Sequence, residues 1–361
     1  MDSRIIEKMT ICIDCRMIDA SGVGVYLRGI LPWLLGGGHN FLLLGSREKL
    51  QSFAVNQNVH IIACNIKPFA IRELFFFPDR ILKKINTSDF YFSPFFNIPG
   101  GIKVPVCTTI HDMIFPDMPQ ITSRIGLAAR MWFYRRAFNK SRKIFTVSEF
   151  SKSRIENYSS KKVPVIVTHN SVQPELLKHK KDNIEKKETI VFVGNIKKHK
   201  GLAILLDAFL MARNEGLLYR LIIIGEKEKF RSSDKSIPEK IESIGQDSVV
   251  FTGFISDEKL FEYLAQASLL VQPSLYEGFG IPPLEAMTLG TRALISDIPV
   301  FREIYGDFPV TFFRAGDSGD LKEKIIDLLI NKKSSSPVLS DDLLLKYTFK
   351  KTASIILEEL K

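Results

Sequence analysis

Two glutamates, Glu277 and Glu285, stand with seven residues between them in the segment Gln272 to Asp307, QPSLYEGFGIPPLEAMTLGTRALISDIPVFREIYGD. An apolar strand runs into Pro273-Ser274, then into a loop broken by Gly278 and Gly280, then into paired prolines and a helix. Pro282 and Pro283 suit a first helical turn, where a missing N–H costs nothing, and Gly290 suits the cap at the other end. Glu277 therefore belongs to the loop and Glu285 to the early turns of the helix, rather than both to one helical face. The glycines let backbone approach a ligand closely. The N–H groups of Phe279, Gly280 and Ile281, with the positive end of the helix dipole, suit a diphosphate. Glu285, one turn further in, can accept hydrogen bonds from the two hydroxyls of a ribose.

Three other loops carry chemistry-bearing residues after apolar strands. Val193 to Gly201 places Asn195, His199 and Lys200 together. The Lys200 ammonium is a compact positive charge, and His199 can donate a hydrogen bond without a permanent charge. Thr108 to Asp112 places His111 at a strand end. Ala20 to Tyr26 carries Gly22 and Gly24 and opens a helix; Leu27 stands where a dinucleotide fingerprint needs its third glycine. Cys12-Ile-Asp-Cys15 has redox spacing but lies on a strand, where residues three apart diverge to opposite faces. With no second ligand pair for zinc, these read as buried structural cysteines.

Apolar strands alternate with helical stretches in both halves, as in parallel α/β sheets. The expected strands are Thr10–Cys15, Asn40–Leu44, Val59–Ala63, Phe90–Ser93, Val104–Ile110 and Lys143–Val147, then Thr189–Val193, Tyr219–Ile224, Val249–Phe251, Leu269–Gln272 and Arg292–Ser296. This predicts an α/β protein of two Rossmann-like domains, residues 1–172 and 189–340. A polar linker, 173–188, joins them, and a helical segment, 341–361, packs back on the first domain. Ligands of open α/β sheets bind beyond the carboxyl ends of the strands, which here points to a cleft between the domains.

The composition agrees: 45% hydrophobic and 25% charged residues exclude a disordered chain. No apolar run is long enough to span a bilayer, and the scattered charges of Met1 to Thr10 give no secretory signal, so a cytoplasmic protein is expected. The net charge of +10 is uneven. Residues 1–172 carry 23 Lys and Arg against 12 Asp and Glu, while the remainder carries 27 against 28. Much of the excess falls in Arg124 to Lys143, where Arg130, Arg135 and Arg136 neighbour Trp132, Phe133 and Tyr134. This stretch is expected to dock on an anionic membrane surface. No nucleic-acid motif accompanies it, so nucleic acid is not an expected partner.

The ordered blocks Pro-Ser, Glu-Gly-Phe-Gly, Pro-Leu-Glu-Ala-Met and Ser-Asp resemble the E-x7-E signature of the retaining glycosyltransferases of family 4, among them bacterial mannosyltransferases of surface-polysaccharide assembly. The resemblance covers nearly the whole chain and is strongest from Val191 to Asp307. It implies the GT-B arrangement, with Glu277 touching the donor sugar, Glu285 the ribose, and Lys200 the diphosphate; His199 stands where arginine is usual. It further implies that Phe254 and Ile255 border the base, that Gly22 and Gly24 approach the donor phosphates and acceptor, and that His111 bonds the transferred sugar. The block Thr146 to Lys152 also matches and is assigned structure rather than chemistry. The chain contains no Asp-x-Asp pair, so a metal-independent site without cofactor is expected. The donor expected is GDP-mannose, and the acceptor a lipid-linked glycan of O-antigen, lipopolysaccharide or capsule synthesis. The rival readings are a nucleotide-sugar epimerase or phosphorylase of the same fold, the latter needing a pyridoxal-phosphate lysine, and a non-catalytic sugar- or membrane-binding module.

Overall fold

The computed structural model describes residues 8–180, 184–225, 236–331 and 339–360. Residues 1–7 of the charged N-terminal stretch and 181–183 of the expected linker lie outside the described residues. The chain groups into two compact units, Met1–Gln173 with Tyr347–Lys361, and Pro174–Lys346. Pro174–Leu177 forms a helical turn, the helix Asp341–Lys346 lies in the second unit, and the helix Phe349–Glu359 lies in the first.

The first unit's sheet contains β1 (Thr10–Asp14), β2 (Asn40–Gly45), β3 (Val59–Ala63), β4 (Phe90–Ser93), β5 (Val106–Thr109), β6 (Ser141–Thr146) and β7 (Val165–Val167). Their spatial order is β3-β2-β1-β4-β5-β6-β7. The second sheet contains β8 (Lys187–Val193), β9 (Arg220–Ile224), β10 (Val249–Gly253), β11 (Ala267–Gln272), β12 (Arg292–Ser296) and β13 (Thr311–Phe313), in the order β10-β9-β8-β11-β12-β13. The described ladders are all parallel. Each strand expected from the sequence forms, shifted by at most two residues at either end. The edge strands β7 and β13 go beyond the expectation because three residues are too few to carry a pattern.

Burial on both faces explains the unbroken apolar character of the central strands. Cys12 packs with Leu44, Tyr91 and Ile110 on one face of the first sheet, whereas Cys15 packs with Ile11, Ile13 and Phe41 on the other. Both thiols are free, fully buried and pushed up by that burial, so they are structural. The helix Arg124–Lys140 differs from the expected membrane face. Tyr134 is buried, with its hydroxyl donating to the Asp112 carbonyl at 3.2 Å. Arg130 bonds Thr122 and Gly126 and lies over the Phe115 ring, while Arg136 donates to the Ile98 and Pro99 carbonyls. Two of the three arginines thus serve internal acceptors, leaving Arg135 and Trp132 exposed.

The helix Phe349–Glu359 completes the first core. Phe349, Ala353 and Ile356 are buried among Tyr26, Leu27 and Ile30 of the helix Ser21–Leu35. Gly29 makes room for it, since a Cβ there would sit 2.2 Å from the Phe349 ring. Phe349→Ala should therefore destabilise the protein by about 3–5 kcal/mol through lost burial and the cavity left behind. Denaturant unfolding checks this, and a midpoint equal to that of the parent would show that the helix is not part of the core.

Candidate functional site

The order of the second sheet reverses between β8 and β11, so the loops after these two strands diverge and leave a crevice at their carboxyl ends. The loop after β8 contains Asn195, half-buried, and a 3-10 turn, Lys198–Lys200. Gly201 closes the turn in the left-handed region, at φ 70°, where a Cβ would lie 1.9 Å from the Pro273 carbonyl oxygen. Only glycine allows the two loops to touch here. The Leu275 N–H then donates to the His199 carbonyl at 2.7 Å.

This contact brings the Lys200 ammonium onto the Glu277 carboxylate, 77 residues away, at 2.7 and 2.8 Å from its two oxygens. Glu277 also accepts from the Ser274 hydroxyl at 2.8 Å and, more weakly, from the Gln272 amide at 3.5 Å. The carboxylate is thus fixed by a cation and two neutral donors. An ammonium has three donors, and the third on Lys200 meets no partner among the described residues. His199 is buried, and burial, reinforced by the Lys200 charge, holds its imidazole down at about 4. The histidine at the usual arginine position is therefore neutral at pH 7.

Glu277 sits in the loop and Glu285 in the helix Ile281–Thr288, whose second position is Pro282. Gly280 precedes the helix at φ 85°; a Cβ there would lie 2.4 Å from the Phe301 ring, and the Tyr305 hydroxyl donates to its carbonyl. The Phe279 side chain is buried, so this residue presents backbone rather than its ring. Glu285 is 5% exposed, and its carboxyl makes no hydrogen bond or ion pair among the described residues. Burial, with Asp257 adding to it, pushes its carboxyl up to about 7. The turn after β10 exposes Phe254 almost completely and half-buries Ile255.

In the first unit, His111 follows β5. Its Nε2 lies 2.9 Å from the Pro94 carbonyl oxygen. A carbonyl only accepts, so Nε2 carries the proton and Nδ1 is left as an acceptor. Burial lowers the imidazole to about 4. The Ser151 hydroxyl donates to the His111 carbonyl at 3.0 Å, and Thr146 bonds the Ile110 carbonyl at 2.7 Å. The block Thr146 to Lys152 thereby holds the histidine loop. Tyr26 sets its ring edgewise on His111 at 4.9 Å. Gly22 and Gly24 lie inside the first turns of the helix Ser21–Leu35. Gly24 packs against the Ile18 carbonyl, where a Cβ would come within 2.5 Å, whereas Gly22 faces open space.

Sequence reasoning brought out Glu277 and Lys200 but not their pairing, and it passed over Ser274 and Gln272, which hold the carboxylate. The signal for Ser274 lies in its place directly after β11, three residues before Glu277.

The second unit matches the family model for glycosyl transferases group 1 over residues 175–337, and the first matches the model for glycosyltransferase family 4 over residues 20–176. The O-antigen chain mannosyltransferase RfbU of Salmonella typhimurium is 32% identical over 208 residues, 54% of this chain and 53% of that protein. O-antigen chain mannosyltransferase B of Escherichia coli is 25% identical over 232 residues, 60% of this chain and 59% of that protein. The chain spans a little over half the length of these relatives. Among solved structures, Anabaena HepE in complex with UDP-glucose aligns with a TM-score of 0.73 at 15% identity, covering 98% of this chain and 99% of that one. This likeness shows the GT-B fold. The two models account for residues 20–337 between them: the first unit carries a glycosyltransferase family 4 domain and the second a glycosyl transferases group 1 domain.

Proposed function

We propose that the protein is a retaining glycosyltransferase that moves a hexose from a nucleotide sugar to a glycan, and that the Lys200–Glu277 pair at the switch point of the second sheet is its donor centre. That pair carries the reading, because it sets a cation for a diphosphate beside a carboxylate for sugar hydroxyls. Lys200 directs its third N–H to the diphosphate together with the backbone at Phe279, Gly280 and Ile281. Glu277 orients the sugar and Glu285 takes the ribose hydroxyls. Asn195 and His199 line the diphosphate loop, and Phe254 and Ile255 border the base. On the first unit, His111 accepts from a hydroxyl of the transferred sugar through Nδ1, and Gly22 and Gly24 admit phosphates and acceptor. The bond from the anomeric carbon to the phosphate oxygen breaks, the acceptor oxygen bonds that carbon on the same face, and its proton passes to the leaving phosphate.

The donor proposed is GDP-mannose, the acceptor a lipid-linked glycan of O-antigen or related surface-polysaccharide synthesis, and the place of action the cytoplasmic face of a membrane with an anionic surface. The mannosyltransferase relatives support the sugar. A panel of nucleotide sugars tests it by thermal stabilisation, since ligand at 100 times its Kd adds about 2.7 kcal/mol. Stabilisation by UDP-glucose but not by GDP-mannose would replace the donor.

Glu285→Ala should weaken nucleotide binding by about 1.5–3 kcal/mol, the worth of hydrogen bonds to a charged group, whereas Glu277→Ala should lower kcat more than nucleotide affinity. Calorimetric titration showing equal nucleotide binding by the parent and Glu285→Ala would remove the ribose assignment. Turnover should persist in EDTA, since Lys200 and backbone meet the diphosphate charge; complete loss restored by magnesium or manganese would overturn the metal-independent site.

The raised Glu285 carboxyl also fixes a pH dependence. A folded-state value near 7 against an ordinary 4.5 means that the fold holds the proton more tightly than the unfolded chain does. The stability of the free protein is therefore retained below about pH 4.5 and lost as pH rises toward and beyond 7, by on the order of 3 kcal/mol. Glu285→Gln should match the parent in acid and melt higher above pH 7. Ribose hydroxyls favour the ionised carboxylate, so nucleotide affinity of the parent should rise with pH across 7, and that of Glu285→Gln should stay flat. Parallel melting curves at every pH would show that the carboxyl is not perturbed.

A further inference from the structure

Residues 67–84 of the first unit form an outlying stretch between β3 and β4. Its short helix, Ile71–Phe75, turns Ile71 and Phe75 outward one helical turn apart, with Phe76 beside them; the three are 72%, 69% and 71% exposed. Single exposed apolar residues need no explanation, but adjacent large ones at this exposure do. In the same stretch Lys67, Arg72, Arg80, Lys83 and Lys84 are all exposed.

The stretch has only two acidic residues, and one of them faces inward. Glu73 is completely buried, with Arg16 at 2.5 Å and the Asn97 amide at 2.9 Å, and it accepts the Phe69 N–H. Arg16 is itself shared with Asp14, which the Tyr91 hydroxyl also bonds at 2.8 Å. The Gly100 N–H donates to the Glu73 carbonyl at 2.9 Å, so close to Leu74 that a Cβ on Gly100 would lie 2.0 Å from the Leu74 carbonyl oxygen. Phe69 takes the left-handed conformation, φ 67°, and buttresses the stretch edge-on against Phe133. The helix is thus pinned from within by its only carboxylate. Ile71, Phe75 and Phe76 are held outward, and Asp79 is the one exposed carboxylate of the stretch.

We propose that this face, rather than the helix Arg124–Lys140, docks the protein on an anionic bilayer, the three apolar side chains entering the headgroup region and the five bases meeting lipid phosphates. The inference rests on the proposed lipid-carried acceptor for its purpose. The occupant follows from charge and side-chain type. Five bases and three large apolar side chains exposed within one short stretch match the chemistry of an anionic interface.

The full-length protein is floated with phosphatidylcholine vesicles, with and without phosphatidylglycerol, at low and high salt. The parent should bind only where phosphatidylglycerol is present and be released by salt, because exposed charges are screened over about 8 Å at physiological ionic strength. Combining Ile71→Ser, Phe75→Ser and Phe76→Ser should weaken binding ~tenfold or more. Lys83→Glu with Lys84→Glu should do the same, and Arg135→Glu should not. Unchanged melting temperatures show that the variants fold. Nucleotide-induced stabilisation, measured on the same samples, reports the donor site separately. Its absence with docking intact overturns the donor-site reading alone. The docking proposal is overturned by equal vesicle binding of the triple serine variant and parent, by equal binding to both vesicles, or by binding to neither. Self-association of the parent that the serine variant abolishes, without vesicle binding, likewise overturns it and gives the face to a second copy of the chain.

Discussion

A parallel sheet whose strand order reverses must leave a gap where its loops part, and the rest of this molecule is arranged around that constraint. In the second sheet the reversal falls between β8 and β11. The right-handed crossovers carry the chain away on opposite sides, so the loops after these strands face each other across the gap. One loop brings Lys200 and the other Glu277, and they meet because Gly201 has no side chain to keep the Pro273 carbonyl away. The first sheet has the same order of reversal, between β1 and β4. There, Pro94 after β4 receives the His111 N–H from the loop after β5.

The two glutamates of the motif are treated in opposite ways. Glu277 is fixed by Lys200, Ser274 and Gln272, so its carboxylate is held in one position before any ligand arrives. Glu285, eight residues later, is buried with no hydrogen bond to its carboxyl among the described residues, and its charged form is disfavoured. A buried group of this kind lowers stability in the free protein and gains most from a ligand that supplies the missing donors. This contrast accords with the division of labour proposed for sugar and ribose.

Charge is handled similarly in the first unit. Arg16, Asp14, Glu73 and Tyr91 form one buried network in which each charge has a partner. By keeping Glu73 inside, the network decides what the outer side of residues 67–84 presents to its surroundings. The arginines of Arg124–Lys140 behave in the reverse manner, turning in to cap carbonyls and to lie over aromatic rings.

The amino-acid sequence by itself determined the two parallel sheets, because central strands buried on both faces are continuous apolar runs, and continuous runs separated by helical stretches leave little choice of architecture. It also placed Glu277 in a loop and Glu285 in a helix, since Gly280, Pro282 and Gly290 are local signals that act within a turn or two. What it left open depends on contacts between residues far apart in the chain. The pairing of Lys200 with Glu277 spans 77 positions, and neither loop alone encodes it. Neutral His199 and His111 owe their state to burial, which a motif does not record. A run of basic and aromatic residues reads the same whether its arginines face water or backbone carbonyls. For Arg130 and Arg136 only the packed helix decides, because it is tertiary structure that supplies the acceptors.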